Sequence, residues 1–281
     1  MSRIAYVNGQ FMTHDFAATH IEDRATQFGD GVYEVLAVVK GKLIDSELHF
    51  DRLNRSLREL EIEMASSRAT LRLILREVVR LNRVTEGLCY LQVSRGTAPR
   101  NHTFPNKPSY SLIVTARRSQ PATGKIGIEG VHVITTADQR WQRRDIKSVS
   151  LLPNVLAKQK AAEAGAFEAW LIHNDGIITE GSHSNAWIVG DSGTVITHPE
   201  SIDILSGVTR NRVLRVARSD GVEVVERGFT AAEAKQAQEA FLTSTSSFVV
   251  PVTHIDDTVI GDGRPGPVTK RLRALYLRTI S

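Results

Sequence analysis

A single cysteine, Cys89, leaves no partner for an intrachain disulfide and no second thiol for a Cys-paired zinc site. Its setting, Leu88-Cys89-Tyr90-Leu91-Gln92-Val93, has the look of a strand, so the thiol reads as a small buried hydrophobe. No apolar run approaches the ~20 residues that cross a bilayer. The opening Met1-Ser2-Arg3-Ile4-Ala5-Tyr6-Val7-Asn8-Gly9-Gln10 also lacks the hydrophobic stretch of a signal peptide. The expectation is a cytoplasmic protein without a membrane partner. Charge of one sign is scarce too: 35 basic against 31 acidic residues give a net charge of +4, with no block of like charges. The excess lies within residues 1–120, which hold 17 basic and 13 acidic side chains, against 18 and 18 in 121–281. That bias suits an anionic small ligand better than a nucleic acid, and no nucleic-acid partner is expected.

Several site signatures are missing as well. No Gly-x-x-x-x-Gly-Lys-Ser/Thr loop occurs, and the nine histidines never form His-Glu-x-x-His. P-loop nucleotide and zinc-hydrolase readings lose their support, and no metal is expected. Gly181-Ser182-His183-Ser184-Asn185 fails as a nucleophile elbow, because Asn185 stands where the second glycine belongs.

What is present is an ordinary folding composition, 41% hydrophobic and 23% charged, over a length that can bury a large core. Residues 32–39 are rich in β-branched side chains, Gly41-Lys42 turns, and Leu43-Ile44 resumes the pattern, which reads as a strand pair. Leu53, Leu57 and Leu60 behind a Ser46 cap, then Leu71, Leu75 and Val78, recur at helical spacing. Strands are expected at 88–94 and 110–115, after which 117–127 dissolves into a polar stretch with Pro121 and Gly124. Beyond it, short strands at 131–135, 169–173, 185–189 and 195–197 mix with helical patterns at 154–164, 209–219, 231–238 and 268–278. The fold class is α+β in two layers. The expected organisation is a small N-terminal α/β domain at 1–118, a linker at 119–126, and a larger domain at 127–281.

Seven words, in order along the chain, carry a family resemblance. They are Glu22-Asp23-Arg24 with Gln27-Phe28-Gly29-Asp30-Gly31-Val32-Tyr33-Glu34; His49-Phe50-Asp51-Arg52-Leu53; Arg95-Gly96-Thr97-Ala98-Pro99-Arg100-Asn101-His102; Trp141 with Asp145-Ile146-Lys147-Ser148; Thr179-Glu180-Gly181-Ser182-His183-Ser184-Asn185; Gly207-Val208-Thr209-Arg210; and Thr243-Ser244-Thr245-Ser246. Together they resemble the fold-type IV, branched-chain-aminotransferase-like enzymes that depend on pyridoxal 5′-phosphate, and within these the D-amino-acid aminotransferases. The resemblance implies a larger domain built on a mixed sheet or barrel, and transamination between a D-amino acid and a 2-oxo acid such as 2-oxoglutarate.

Transamination needs an amine that holds the cofactor aldehyde as a Schiff base and then shuttles a proton. Lysine does both, but composition singles out no one lysine; the resemblance of Asp145-Ile146-Lys147-Ser148 to the family's cofactor segment picks Lys147. The resemblance likewise makes Glu180 the partner of the ring nitrogen, whose protonation turns the pyridine into an electron sink, with Ser182 beside it. For the phosphate, it implies Arg52, the amides and hydroxyl of Val208 and Thr209 at a helix start, and the hydroxyls of Ser244 and Thr245.

Tyr33, Arg100 and His102 resemble the family's trap for a substrate carboxylate, several donors aimed at one anion. In the family the Arg-x-His loop reaches the neighbouring subunit's site, which implies a homodimer with shared active sites. Trp141 is left outside the site. His183 stands where the family has a small residue, and its closeness to Glu180 is expected to perturb one or the other. Aminodeoxychorismate lyase and branched-chain aminotransferase remain alternatives within the fold, and a non-enzymatic basic binding module is the alternative from another class.

Overall fold

Asn8 and Gly9 both take positive φ, 46° and 99°, as a tight hairpin turn requires, and they fold Ile4–Val7 (β1) back on Gln10–Thr13 (β2). This hairpin was not among the sequence expectations. The computed structural model describes residues 3–119 and 124–280. The chain divides into two compact units, Met1–Gln120 with Ile146–Ser150, and Pro121–Asp145 with Leu151–Ser281. Residues 120–123 of the expected linker lie outside the described residues.

In the first unit the order continues through Arg24–Phe28 (α1), Gly31–Val39 (β3), Lys42–Leu43 (β4), Ser46–Glu59 (α2), Arg68–Leu81 (α3), Gly87–Ser94 (β5) and Ser111–Arg118 (β6). The strands form an antiparallel sheet in the order β2-β1-β6-β5-β3-β4. Phe50, Leu53 and Leu57 of α2 and Leu71, Ile74, Leu75, Val78 and Val79 of α3 share a core with Val32, Leu36, Cys89, Leu91 and Val114 of the sheet. Cys89 is buried and its thiol is pushed well above the usual range by desolvation, so it packs as an inert hydrophobe.

Ser46 does not cap α2. It is the first helical residue, because Asp45 at φ 51° delivers the chain and its carbonyl receives His49 N at 3.1 Å. Ile146–Ser150 joins this unit beside β3: Tyr33 N donates to Lys147 O and Val149 N to Gly31 O, both at 3.0 Å. Ser148 bridges Val32, and Ile146 enters the core. β4 pairs only Val38 and Val39, which leaves the start of the β3 edge for this segment.

The second unit runs through Lys125–Glu129 (α4), Val131–Ala137 (β7), Leu152–Glu163 (α5), Glu168–Ile172 (β8), Ile178–Gly181 (β9), Asn185–Val189 (β10) and Val195–Thr197 (β11). It continues through Val208–Ser219 (α6), Val224–Glu226 (β12), Ala231–Gln236 (α7), Glu239–Ser244 (β13), Phe248–Ile255 (β14), Thr258–Val259 (β15) and Pro267–Ile280 (α8). β6 therefore runs into the polar stretch at 117–127, and α4 opens inside it.

The strands form one mixed sheet in the order β12-β11-β10-β13-β14-β7-β8-β9, with β15 against β14. The pairs β11–β12, β14–β7 and β7–β8 are parallel. β9 ends this order while β10 stands third from the opposite end. Laid flat, five strand spacings would part them by about 24 Å, yet only four Cα steps, at most about 15 Å, join Gly181 to Asn185. The sheet must curl, and the Gly181–Asn185 turn sits on that curl.

Candidate active site

In the first unit, the residues around Lys147 form a small, tightly bonded cluster. Lys147 N donates to Ser56 Oγ at 3.3 Å, and its Nζ stands 4.2 Å from the centre of the Tyr33 ring. Tyr33 stacks on Tyr90 with centroids 5.7 Å apart. Burial and the neighbouring Tyr33 push the Tyr90 hydroxyl up to about 12, so it stays protonated and donates to Gln92 Oε1 at 2.7 Å.

Beside them lies a buried triad. Arg52 donates through Nε to Glu34 Oε1 and through Nη2 to Glu34 Oε2, both at 2.8 Å, and His49 Nδ1 lies 2.7 Å from Oε2. Burial opposes the Glu34 charge, but Arg52 and then His49 outweigh it and hold the carboxyl down to about 2. Burial lowers the pKa of His49 despite Glu34, so the ring is neutral at neutral pH and its Nδ1–H faces the carboxylate. Arg52, expected on the phosphate, is thus locked in orientation by a bidentate fork.

Arg100 and His102 are exposed, on the loop that follows β5. Both pack on Phe28 of α1: the Arg100 guanidinium is 4.7 Å from the ring centre and the His102 ring 5.3 Å. Arg100 Nη1 also donates to Gln27 O at 3.4 Å. Among the described residues no hydrogen bond or ring contact joins either of them to Tyr33 within the chain.

The second unit carries Glu180 at the end of β9, 4% exposed. Its Oε1 accepts from Arg140 Nη1 and, at 3.0 Å, from the Leu205 amide; Oε2 accepts from Asn185 Nδ2 at 3.0 Å. Arg140 is shared with a second carboxylate, Asp138, to which Nε and Nη2 donate at 2.9 and 2.8 Å. Burial raises the Glu180 carboxyl above its usual range, and Arg140 offsets this only in part. Arg140, Asp138 and Asn185 were not expected in the site. Their one sequence signal is general: a buried acid needs a cation, and arginines at 140, 143 and 144 precede Lys147.

The turn after Glu180 corrects one expectation. His183 does not pair with Glu180; its Nδ1 lies 2.6 Å from Glu168 Oε2. Glu168 is fully buried at the start of β8 and also accepts from Ser182 Oγ at 2.5 Å and Ser184 Oγ at 2.8 Å. The Ser182 hydroxyl is therefore engaged with Glu168, while its amide donates to Ala169 O at 2.9 Å. Burial opposes the Glu168 charge, but His183 leads the groups that hold the carboxyl down to about 2.

α6 opens at Gly207, which provides no side-chain cap, so the first amides of the helix keep their donor capacity. A Cβ at Gly207 would stand 2.0 Å from Asn185 Oδ1, so only glycine lets this helix start approach so closely. Val208 and Thr209 are buried on its first turn. Ser244 closes β13, with its Oγ 2.6 Å from Ser247 Oγ and 3.2 Å from Ser246 Oγ, and Thr245 is half-buried beside it. Trp141 is 45% exposed.

The family model described as amino-transferase class IV matches residues 31–255. The chain is similar to the D-alanine aminotransferase of Bacillus licheniformis, 42% identical over 278 residues that cover 97% of this chain and 95% of the relative. It is similar to the D-alanine aminotransferase of Listeria innocua, 40% identical over 276 residues that cover 98% and 95% of the two chains. Among solved structures, it resembles the T.th. branched-chain amino acid aminotransferase with pyridoxamine 5′-phosphate, at 28% identity and a TM-score of 0.92, covering 100% of this chain and 94% of that chain.

Proposed function

The chain belongs to the amino-transferase class IV family, and on that footing we propose that it moves the amino group of a D-amino acid, D-alanine foremost, to a 2-oxo acid such as 2-oxoglutarate. The relatives at 42% and 40% identity over nearly their whole length support this substrate class. Pyridoxal 5′-phosphate is the proposed cofactor.

The observation that carries the chemistry is the electrostatics of Glu180. Of the three most deeply buried glutamates, Glu34 and Glu168 are held down to about 2, whereas Glu180 is raised. Its arginine also serves Asp138, so the carboxylate is under-neutralised, and a protonated pyridine nitrogen is a cation that answers this deficit. Each unit holds donors that suit a phosphate dianion: in the second, the amides of Val208 and Thr209 behind Gly207 and the hydroxyls of Ser244 and Thr245; in the first, the oriented guanidinium of Arg52. Lys147, Arg52, Glu180, Ser182, Val208, Thr209, Ser244 and Thr245 are the residues we assign to the cofactor.

When bound, the cofactor supplies the electron sink that lets the substrate Cα–H bond break. Glu180 keeps that sink effective by favouring a proton on the ring nitrogen. Lys147 Nζ would be the base that accepts the Cα proton and returns it on the way back. Tyr33, Arg100 and His102 hold the substrate carboxylate so that the Cα–H bond lies along the path of that amine. The chain acts as a homodimer in the cytoplasm in this reading; no described helix is long and apolar enough to cross a membrane.

Racemic alanine with 2-oxoglutarate tests the assignment. Consumption of D-alanine with matching pyruvate and D-glutamate is expected; loss of L-alanine alone, with D-alanine untouched, overturns it. The likeness to a branched-chain enzyme gives the second reading, and L-leucine with 2-oxoglutarate is its assay. Pyruvate released from aminodeoxychorismate without an amino acceptor would mark a lyase.

A further inference from the structure

Arg24 is 3% exposed, and neither the cofactor set nor the carboxylate trap includes it. Its guanidinium is used on every side. Nε donates to Asp30 Oδ2 at 2.7 Å, Nη1 to Asn101 O at 2.6 Å and to Thr103 O at 3.3 Å, and Nη2 to His102 O at 3.5 Å. Its flat face lies 4.7 Å from the centre of the Phe28 ring, the ring on which Arg100 and His102 also rest. Three consecutive carbonyls centred on His102 thus converge on one planar cation.

The anchor of that cation is itself fixed. Asp30 also receives Arg95 through Nε at 2.8 Å and Nη2 at 3.1 Å. Arg95 in turn donates to Leu60 O at 2.5 Å and Glu61 O at 2.8 Å, and stands 3.5 Å from the Phe104 ring centre. The backbone around α1 is stitched to the root of the loop, with Arg24 N on Gly96 O at 2.9 Å and Ala98 N on Glu22 O at 3.3 Å. Further out the stitching stops. Among the described residues, the backbone of 101–103 makes one other hydrogen bond, Thr103 N to Asn101 Oδ1 at 3.2 Å, inside the loop itself.

We infer that Arg24 is the positioning residue of the substrate-carboxylate loop: it clamps the carbonyls of Asn101, His102 and Thr103 to Asp30 and shares the Phe28 ring with Arg100 and His102. The inference rests on the proposed role of Arg100 and His102. The chemistry explains why an arginine stands here. A lysine is a point charge without the planar fork, so it cannot serve Asp30 and three carbonyls together while lying flat on a ring. A loop so released misplaces its two carboxylate donors and weakens their hold on the substrate anion. Carboxylate binding is common to ground state and transition state, so the loss reads in KM more than in kcat.

The test uses cofactor-saturated Arg24→Lys, Arg100→Ala and the double variant, with D-alanine as donor, 2-oxoglutarate as acceptor and propionate as a competitive carboxylate probe. Arg24→Lys is expected to raise KM for both substrates and the inhibition constant of propionate by about tenfold, with kcat within about threefold. The double variant is expected to lose less than the two single losses combined, because with Arg100 gone only His102 is left for the clamp to position. Phe28→Leu, which removes the shared ring and leaves the clamp, is expected to shift the same constants by a smaller factor, and it carries the test should Arg24→Lys fail to fold. Unchanged KM and propionate inhibition in Arg24→Lys, or additive losses in the double variant, overturn the inference while leaving the trap in place. Unchanged constants in Arg100→Ala remove the trap itself, and the role of Arg24 falls with it.

Discussion

Glu34 in the first unit and Glu180 in the second are both buried glutamates that meet an arginine, and they titrate in opposite directions. Glu34 receives a two-nitrogen fork from Arg52 and the ring of His49, and is held down to about 2. Glu180 receives one guanidinium nitrogen from Arg140, whose remaining donors serve Asp138, and it is raised by burial. The difference teaches that burial with an arginine does not by itself define a carboxylate's job. A saturated ion pair fixes an orientation, here that of Arg52. An under-neutralised one is stabilised further by a cation, and that is the property a pyridinium partner needs.

The sharpest way to break this comparison is to remove both charges separately. Glu180→Gln keeps the shape and deletes the anion, and we expect kcat for D-alanine to fall by about 10²–10³-fold while the thermal midpoint stays near wild type. A variant with unimpaired turnover would place Glu180 among purely structural acids.

Glu34→Gln should do the reverse. It leaves Arg52 buried without its counter-charge, so we expect a stability loss of about 3 kcal/mol in urea unfolding, with a rise in the cofactor dissociation constant through the loosened Arg52. The pH dependence sharpens this further. The folded carboxyl titrates at about 2 against an ordinary 4.5, so its contribution is complete above about pH 4.5 and is lost as pH falls toward 2. The stability gap between wild type and Glu34→Gln should therefore close over that window; a constant gap from pH 6 to pH 3 contradicts the assigned ion pair.

The smallest effect is expected at His183. Glu168 keeps Ser182 and Ser184 when the ring is removed, so His183→Ala should cost about 1 kcal/mol or less and change kcat by under about threefold. A large loss of turnover would bring His183 back beside the chemistry.

Much of the fold was legible from local patterning. The leucine spacing of α2 and α3, the β-branched run of β3, and the helical pattern at 154–164 that forms most of α5 are all found where the sequence placed them. Among the strands not foreseen, β13 and β14 are buried on both faces, so they lack the alternation that marks a half-exposed strand, and a hydroxyl-rich turn was all that showed. Lys147, Glu180 and Arg52 could be proposed for the site because each sits inside a distinctive word of sequence. Arg140 and Asp138 were not, since the contact with Glu180 bridges some forty positions of chain. Arg24 was visible as part of a word but not as a clamp, because its partners are backbone carbonyls, which leave no trace in side-chain identity.

The most direct test of the central assignment is chemical. The protein is saturated with pyridoxal 5′-phosphate, reduced with borohydride, digested and mapped. The account predicts one stable phosphopyridoxyl adduct, on Lys147, absent in Lys147→Ala. A stoichiometric adduct on another lysine, or none at all, contradicts it.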